Sequence, residues 1–272
     1  MTQLPKLITF DGEARSGKGT IAHATKDFLR DECGYKVMLI DAGQVFRVLA
    51  VAVQKAGVDV DSPAALDEFL QNDENIASCT QLVKDVYHMT KPEREALLYT
   101  NEIGSSSAKL GARPLSQAFK DSLLKKWLGD AGREGYEVVL LDGRALEETG
   151  AMLERENLCH HVLGLYFVCD PVVGAMRTLG HAGKAYAALS STAKNAVDEL
   201  VQQIKQRNHA DATRAVQPIV PPSGAATIRL PTVPRISEAT GRLIYCVDTS
   251  AEMTKDTMTQ PMAEFIAAVL RR

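Results

Sequence analysis

Five short apolar runs, each closed by an aspartate, are the feature that most constrains the fold of this chain. The runs are LITFD (7–11), VMLID (37–41), VVLLD (138–142), LYFVCD (165–170) and LIYCVD (243–248). Apolar and polar residues do not alternate within them, which is typical of strands covered on both faces in a parallel sheet. Stretches with helical periodicity lie between the runs, among them 21–30, 45–54 and 197–207. This alternation predicts a doubly wound α/β fold.

The aspartates that close the runs predict where a ligand binds. They are Asp11, Asp41, Asp142, Asp170 and Asp248. In an open α/β sheet, the carboxyl ends of the strands form the edge at which ligands bind. Aspartate also favours turns and helix caps, but its presence at every run end indicates a polar, functional edge.

Charge and cysteine content exclude several classes of protein. The 272 residues carry a formal net charge of -3, so no basic excess points to nucleic acid, and an anionic ligand needs a local cluster of Arg and Lys. Five cysteines lack C-x-x-C spacing, which indicates a reducing compartment. The first run starts too early to follow a signal peptide, and no run approaches the ~20 residues that cross a bilayer. We expect a monomeric, cytoplasmic protein without nucleic-acid or membrane partners.

The stretch FDGEARSGKGT (10–20) nearly fits a phosphate-binding loop. Gly12, four residues, Gly17 and Lys18 match G-x-x-x-x-G-K-[ST], but Gly19 stands where Ser or Thr is expected. The stretch joins a buried strand to a helical stretch, so backbone N–H groups can bind phosphate while Lys18 reaches the terminal phosphates of a nucleoside triphosphate. The alternative is a glycine-rich turn with a surface lysine. The residues expected at ATP are Gly12, Glu13, Ala14, Arg15, Ser16, Gly17, Lys18, Gly19 and Thr20.

Arginines recur just beyond two predicted strand ends. Arg47 lies on the helical stretch that follows Asp41, and Arg144 follows Asp142 by two residues. Because phosphoryl transfer needs positive charge on the phosphates of both donor and acceptor, these arginines predict a second anion site.

A trio of charged residues adds to that prediction. Arg207, Asp211 and Arg214 are spaced i, i+4 and i+7, so on a helix they share one face and Asp211 can hold both guanidiniums. Taken alone, a solvated salt-bridge ladder worth only ~0.5 kcal/mol per pair explains the trio better. Together with the loop and the strand-end arginines, the trio favours a phosphate site.

Six blocks of the sequence carry a family likeness. They are ITFDGEARSGKGT, IDAGQVFRVLAVAVQKAGVDV, TNEIGSSSAKLGARP, LLDGR, IKQRNHADATRAVQPIVPP and YCVDTS. In residues and in order, they resemble the cytidylate kinase family of P-loop nucleoside monophosphate kinases. The G-K-G-T ending of the first block is typical of such kinases.

The resemblance implies a P-loop NTPase fold, in which helices flank a five-stranded parallel sheet. It also implies an insert that binds the acceptor monophosphate and a lid that closes over ATP. The expected boundaries are 1–57, 114–176 and 207–272 for the kinase core, 58–113 for the insert and 177–206 for the lid. The proline-containing stretch 221–243 is expected to be a long irregular loop.

The same resemblance implies ATP-dependent phosphoryl transfer to a nucleoside monophosphate, with CMP or dCMP as the favoured acceptor. Mg²⁺ accompanies ATP and is held through water by Thr20 and Asp142. The implied catalytic residues are Lys18, Arg144, Arg207, Asp211 and Arg214, and Arg177 in the lid is a further ATP contact. The implied acceptor-binding residues are Gly43, Arg47, Ser107, Arg113, Asp142, Gly143, Arg144 and Arg214.

Four positions depart from the family pattern where it contacts the base or sugar of the acceptor. Family members carry Ser or Thr at 42, Ser near 108, Arg near 117 and Asp at 145, and this chain has Ala42, Ala108, Gln117 and Ala145. Ser107 or Arg113 could substitute after a small shift. Selectivity depends on buried polar groups finding partners, so kinase activity is better supported than CMP as the acceptor.

Two alternatives therefore stay open. One is a kinase of another small phosphorylated or hydroxylated metabolite. The other is a non-catalytic nucleotide-binding regulator, which the negative charge of Glu13 and the missing contacts suggest.

Overall fold

In a computed structural model, which describes residues 3–236 and 241–272, helices flank a six-stranded sheet. The strands are β1 (Lys6–Gly12), β2 (Val37–Asp41), β3 (Val138–Asp142), β4 (His160–Val168), β5 (Ala226–Arg229) and β6 (Leu243–Asp248). Their spatial order is β2-β3-β1-β4-β6-β5, and the pairings β1–β3, β1–β4, β4–β6 and β5–β6 are parallel. The predicted α/β class is confirmed, with six strands where five were expected.

Eleven α-helices occur in the described part of the chain. They are α1 (Lys18–Asp31), α2 (Ala42–Lys55), α3 (Pro63–Gln71), α4 (Asp73–His88), α5 (Lys91–Leu98), α6 (Asn101–Gly111), α7 (Pro114–Arg133), α8 (Leu146–Arg155), α9 (Pro171–Thr178), α10 (Ser191–Thr213) and α11 (Lys255–Leu270). A short 3-10 turn at Tyr186–Ala188 precedes α10. Within the same ranges, no helix has the length and apolar character that crossing a membrane requires.

The chain divides into two compact units. Unit 1 consists of residues 1–40, 127–214 and 218–272, and unit 2 of residues 41–126 and 215–217. Unit 2 contains α2 to α6, so the stretch 58–113 holds helices and, as expected, no strand. The boundaries expected for an acceptor-binding insert and a lid stay predictions.

The core of unit 1 forms where helices cover the sheet. Ile21 and Leu29 lie on one face of α1, in the apolar spacing typical of a half-buried helix, and both are fully buried. They belong to the same cluster as Ile8 and Phe10 of β1 and Met262 of α11. Helix α8 also packs against β1 and β4.

The strand register brings several carboxyl ends to one edge of the sheet. Asp142, the last residue of β3, pairs with Phe10 of β1. Asp248, the last residue of β6, pairs with Val168, the last residue of β4. These two aspartates therefore lie at the edge that the sequence predicted to be functional.

The run at 165–170 was expected to be a strand closed by its aspartate, and its last two residues lie outside β4. The strand ends at Val168. Asp170 instead caps α9, because its carboxylate accepts hydrogen bonds from the N–H groups of Val172 (2.8 Å) and Val173 (3.3 Å).

The stretch 221–243 was expected to be irregular throughout, and it contains β5. Only Ile228 is buried in this four-residue strand, so the sequence offers no apolar run there. Residues 237–240 of the stretch lie outside the described residues.

Candidate active site

The glycine-rich loop, residues 12–18, joins the carboxyl end of β1 to the start of α1. Gly12 has φ 127°, and a Cβ there would lie 2.2 Å from the carbonyl oxygen of Phe167, so only glycine fits. Gly17 caps α1 in the left-handed region, with φ 81°. The loop therefore leads directly to the N-terminus of α1, where backbone N–H groups favour an anion.

Hydrogen bonds from neighbouring strands fix the shape of this loop. Glu13 donates its N–H to the carbonyl of Phe167 (2.9 Å), and its carboxylate accepts from the N–H of Cys169 (3.2 Å). The Ser16 carbonyl accepts from the hydroxyl of Thr249 (2.9 Å), just beyond β6. In the sequence, the negative charge of Glu13 suggests a non-catalytic protein. In the structure, Glu13 anchors the loop to the end of β4. Burial raises the pKa of its carboxyl group.

Asn208 of α10 is a contact of the loop that the sequence did not reveal. Its side-chain oxygen accepts from the N–H of Ala14 (2.9 Å). Arg15 next to it is exposed, with φ 59°, in the left-handed region that glycine favours. Because Asn208 lies 194 residues from Ala14 in sequence, only the tertiary fold brings them together.

Lys18 lies at the start of α1 and forms an ion pair with Asp142 at the end of β3. Both side chains are largely buried. Gly19 explains how the pair fits, because a Cβ at that position would lie 3.3 Å from the second carboxylate oxygen of Asp142. Thr20 follows on α1 and is exposed. The departure from the usual loop pattern at Gly19 therefore makes room for Asp142.

The arginine cluster, formed by Arg144, Arg207 and Arg214 around Asp211, lies at the same strand end. Arg144, two residues after Asp142, forms an ion pair with Asp211. Arg207 and Arg214 each approach the same carboxylate to 3.9 Å. The expected contacts of Asp211 with both arginines are present, but α10 ends at Thr213, so Arg214 is the extended residue that follows the helix.

The arginine cluster carries more positive than negative charge, although buried Asp11 also attracts Arg144 and Arg214. Three guanidiniums surround one carboxylate, and burial, followed by the positive charge of Arg207, lowers the pKa of Arg144 to about 9. Burial also lowers the pKa of Arg214. An anion at this position would compensate the excess positive charge, so the cluster is suited to phosphate.

Asp11 joins the glycine-rich loop to α8 beside the arginine cluster. Its carboxylate is buried and accepts from the N–H groups of Gly12 (2.6 Å) and Leu146 (2.7 Å), which fixes the start of the loop to the start of α8. Burial raises the pKa of the carboxyl group. A cavity of about 110 Å³ beside the cluster is lined by Glu13, Arg144 and Asn208, among others. It is far smaller than the roughly 300–1,000 Å³ of a complete small-molecule site, so it admits only part of a ligand.

Arg177, the ATP contact expected in the lid, lies on α9 in unit 1. Its guanidinium donates to the carbonyl of Ala251 and lies 3.9 Å from the sulfur of Cys169. Cys169 is the residue whose N–H is bound by Glu13. Arg177 is thus held next to an anchor of the glycine-rich loop.

In unit 2, Arg47 is held by two contacts. Its guanidinium donates to the carbonyl of Leu98 (2.8 Å) and stacks on the ring of Tyr99, 4.5 Å from the centroid. Gly43, another predicted acceptor contact, lies in the first turn of the same helix, α2. Tyr99 was not found from the sequence, because nothing in its local pattern distinguishes it from a surface tyrosine.

The other predicted acceptor residues in unit 2 already have partners within that unit. Ser107 donates to the carbonyl of Gly104 (2.9 Å), one turn back in α6. Arg113 forms an ion pair with Asp67 (2.5 Å) on α3. These contacts stabilise the helices of unit 2.

The chain is similar to curated cytidylate kinases over most of its length, although no family model matches it. It is 24% identical to the cytidylate kinase of Colwellia psychrerythraea over 237 residues, which cover 84% of this chain and 90% of the relative. The enzyme of a Marinomonas species is 26% identical over 82% of this chain and 87% of the relative. The cytidylate kinase of Shewanella pealeana is 25% identical over 84% of this chain and 89% of the relative. Over more than four fifths of its length, the chain is thus similar to cytidylate kinases.

This similarity to cytidylate kinases confirms the resemblance inferred from the six sequence blocks. It also confirms that the chain is an enzyme of the nucleoside monophosphate kinase kind.

Proposed function

We propose that the chain transfers the γ-phosphoryl group of ATP to the phosphate of CMP or dCMP. The observation that carries the proposal is the run of positive charge along one strand end. Lys18 of the glycine-rich loop pairs with Asp142. Two residues later, Arg144 pairs with Asp211 and brings the arginine cluster to the same strand end. The names of the relatives support a cytidine nucleotide as acceptor.

The proposed mechanism is in-line displacement. An oxygen of the acceptor phosphate attacks the γ-phosphorus of ATP, and the bond to the oxygen that bridges the β- and γ-phosphates breaks, which gives ADP and a nucleoside diphosphate. Lys18 and the arginine cluster neutralise the charge on the transferring group. No general base is required, because the acceptor phosphate is already an anion at neutral pH. In unit 2, Arg47 is assigned to the acceptor phosphate.

Mg²⁺ fits the residues at the strand end without a cage of protein ligands. It prefers oxygen ligands and usually binds through one or two carboxylates, water and substrate phosphates. Asp142 supplies a carboxylate and Thr20 a hydroxyl. Within residues 3–236 and 241–272, no group of three His, Cys, Asp or Glu side chains is arranged to hold a metal ion. When bound with ATP, the ion would neutralise charge on the β- and γ-phosphates.

An acceptor screen tests this function. ADP formation is measured with ATP, Mg²⁺ and each of CMP, dCMP, UMP, AMP and GMP. We expect the highest kcat/KM with CMP or dCMP. Absence of acceptor-dependent ADP with all five would reject the proposal.

A second candidate keeps the reaction and changes the acceptor to another small phosphorylated metabolite. The observation that favours it is that the side chains expected to bind a base already bind other groups of the protein. Ser107 and Arg113 are engaged as described, and the amide of Gln117 donates to the carbonyl of Gly111 (2.5 Å). Thermal-shift screening with a non-hydrolysable ATP analogue separates the two candidates. Stabilisation by a non-nucleotide phosphate alone would favour the second.

A further inference from the structure

Tyr99 is an aromatic residue held rigidly at the surface of unit 2. It is the single residue between α5 and Thr100, which caps α6, and 46% of its surface is exposed. Its N–H donates to the carbonyl of Glu95 (3.0 Å), and the hydroxyl of Thr100 accepts from the N–H of Ile103 (3.2 Å). Because both adjoining helix ends are capped, the backbone of Tyr99 has little freedom.

The side chain of Tyr99 is fixed at both ends. One face of its ring lies on the guanidinium of Arg47, 4.5 Å from the centroid. The phenol hydroxyl approaches the carboxylate of Asp41 (3.4 Å), the residue that caps α2. Burial, followed by the charge of Asp41, raises the pKa of the phenol, which keeps it protonated as a donor. Tyr99 therefore spans from the helix cap to the guanidinium.

Arg47 covers one face of the Tyr99 ring, and 46% of the residue's surface stays exposed. A large apolar face on a rigid support is suited to stacking on a flat ring, since the ordering entropy is already lost before the ligand binds. Every nucleobase has such a face, and stacking on an aromatic side chain binds bases of any sequence. The guanidinium in contact with the same ring supplies the positive charge that a phosphate requires.

We propose that Tyr99 stacks on the base of the acceptor nucleotide while Arg47 binds its phosphate. This inference rests on the proposed function, because it names a base contact for the same acceptor. It also provides affinity in a chain whose residues at positions 42 and 145 are alanines, which offer no side-chain hydrogen bond. The contact is common to all bases, so it contributes affinity more than discrimination.

The test compares a ligand with a base to one without. Dissociation constants of CMP and of ribose 5-phosphate are measured by calorimetry, which does not depend on turnover. We expect Tyr99→Leu to weaken CMP binding about tenfold or more while ribose 5-phosphate binds as before. Tyr99→Phe keeps the ring and should bind CMP nearly as the unchanged protein does. Tyr87→Leu is the matched control, because Tyr87 lies in the same unit and is 77% exposed.

Three results would overturn the inference. Equal losses for CMP and ribose 5-phosphate in Tyr99→Leu would show that the ring acts only by positioning Arg47. Unchanged CMP binding in that variant would show that the ring makes no base contact, as would a protein that binds no CMP before substitution. Failure of the proposed function alone has a different signature, since CMP would then bind, and respond to Tyr99→Leu as expected, without acceptor-dependent ADP formation.

Discussion

The guanidinium of Arg144 forms an ion pair with the carboxylate of Asp211, which joins the end of β3 to α10. The pair lies two residues beyond Asp142, the partner of Lys18. This relationship brings the two stretches of positive charge that the sequence marked separately to the same strand end. It also places the guanidiniums of Arg144, Arg207 and Arg214 around one carboxylate.

Asp211→Asn should destabilise the protein by about 3 kcal/mol, because it leaves the largely buried guanidinium of Arg144 without the carboxylate that it pairs with. The free energy of unfolding is measured with urea. Removing Arg144 in the same chain should relieve part of that loss, with a coupling of about 1–3 kcal/mol. Asp198→Asn is the control, since Asp198 lies on α10 and its partner is the exposed hydroxyl of Tyr186. Strictly additive losses would contradict the pairing.

Lys18→Met should lower kcat by about 10²- to 10³-fold, which is the size of effect expected when one preorganised charge at a developing anion is removed. The rate of ADP formation at saturating ATP and acceptor measures it. Lys26→Met provides a control on the same helix, because Lys26 pairs only with exposed Asp27 among the ion pairs described. Similar rates for the two variants would remove Lys18 from the reaction.

Gly19→Ser restores the usual loop pattern and should nevertheless impair the enzyme. The new Cβ would lie 3.3 Å from a carboxylate oxygen of Asp142, so the carboxylate must move by a few tenths of an ångström. Since misplacement by about 1 Å can lower a rate 10²-fold, we expect kcat to fall about tenfold with stability nearly unchanged. Gly132→Ser, where the nearest atom is at an ordinary 3.9 Å, is the matched control. A fully active Gly19→Ser enzyme would show that Asp142 tolerates the displacement.

His161 should make stability depend on pH. Burial, followed by the charge of Arg242, lowers its pKa to about 4, and its ring nitrogen lies 3.1 Å from the hydroxyl of Thr9. The unfolded chain, with an ordinary histidine pKa near 6.5, binds the proton more readily, so stability falls as the pH drops from about 6.5 to about 4.

Over that window, His161 should contribute a loss of about 3 kcal/mol. Urea unfolding at successive pH values measures it, and His161→Gln should flatten the dependence. His160→Gln changes the exposed neighbour and should leave the slope unaltered. A slope that persists in His161→Gln would assign the effect to other groups.

Local sequence patterns predicted much of the fold. Continuous apolar runs predicted β1, β2, β3 and β6, because strands buried on both faces require them. The same pattern did not predict β5, because Ile228 alone is buried in this strand, which pairs with β6 at the edge of the sheet. They also misplaced Asp170, because a helix cap and a strand end favour the same residue type.

The site was predicted less completely because its contacts are long-range. Helical spacing predicted that Asp211 pairs with Arg207 and Arg214. The residue that joins α10 to the sheet is instead Arg144, which lies 67 residues before Asp211. In the same way, nothing near Asn208 in sequence indicates that it binds the N–H of Ala14. Propensity and spacing predict elements, whereas these pairs depend on how the elements pack.

The most direct test of the account is a phosphorus NMR time course of the protein with ATP, Mg²⁺ and CMP. We predict that the γ-phosphate signal of ATP decreases while the β-phosphate signal of CDP grows in equal amount, and that Lys18→Met slows both changes. Loss of the γ-phosphate signal to inorganic phosphate alone, or a Lys18→Met variant as fast as the unchanged protein, would contradict it.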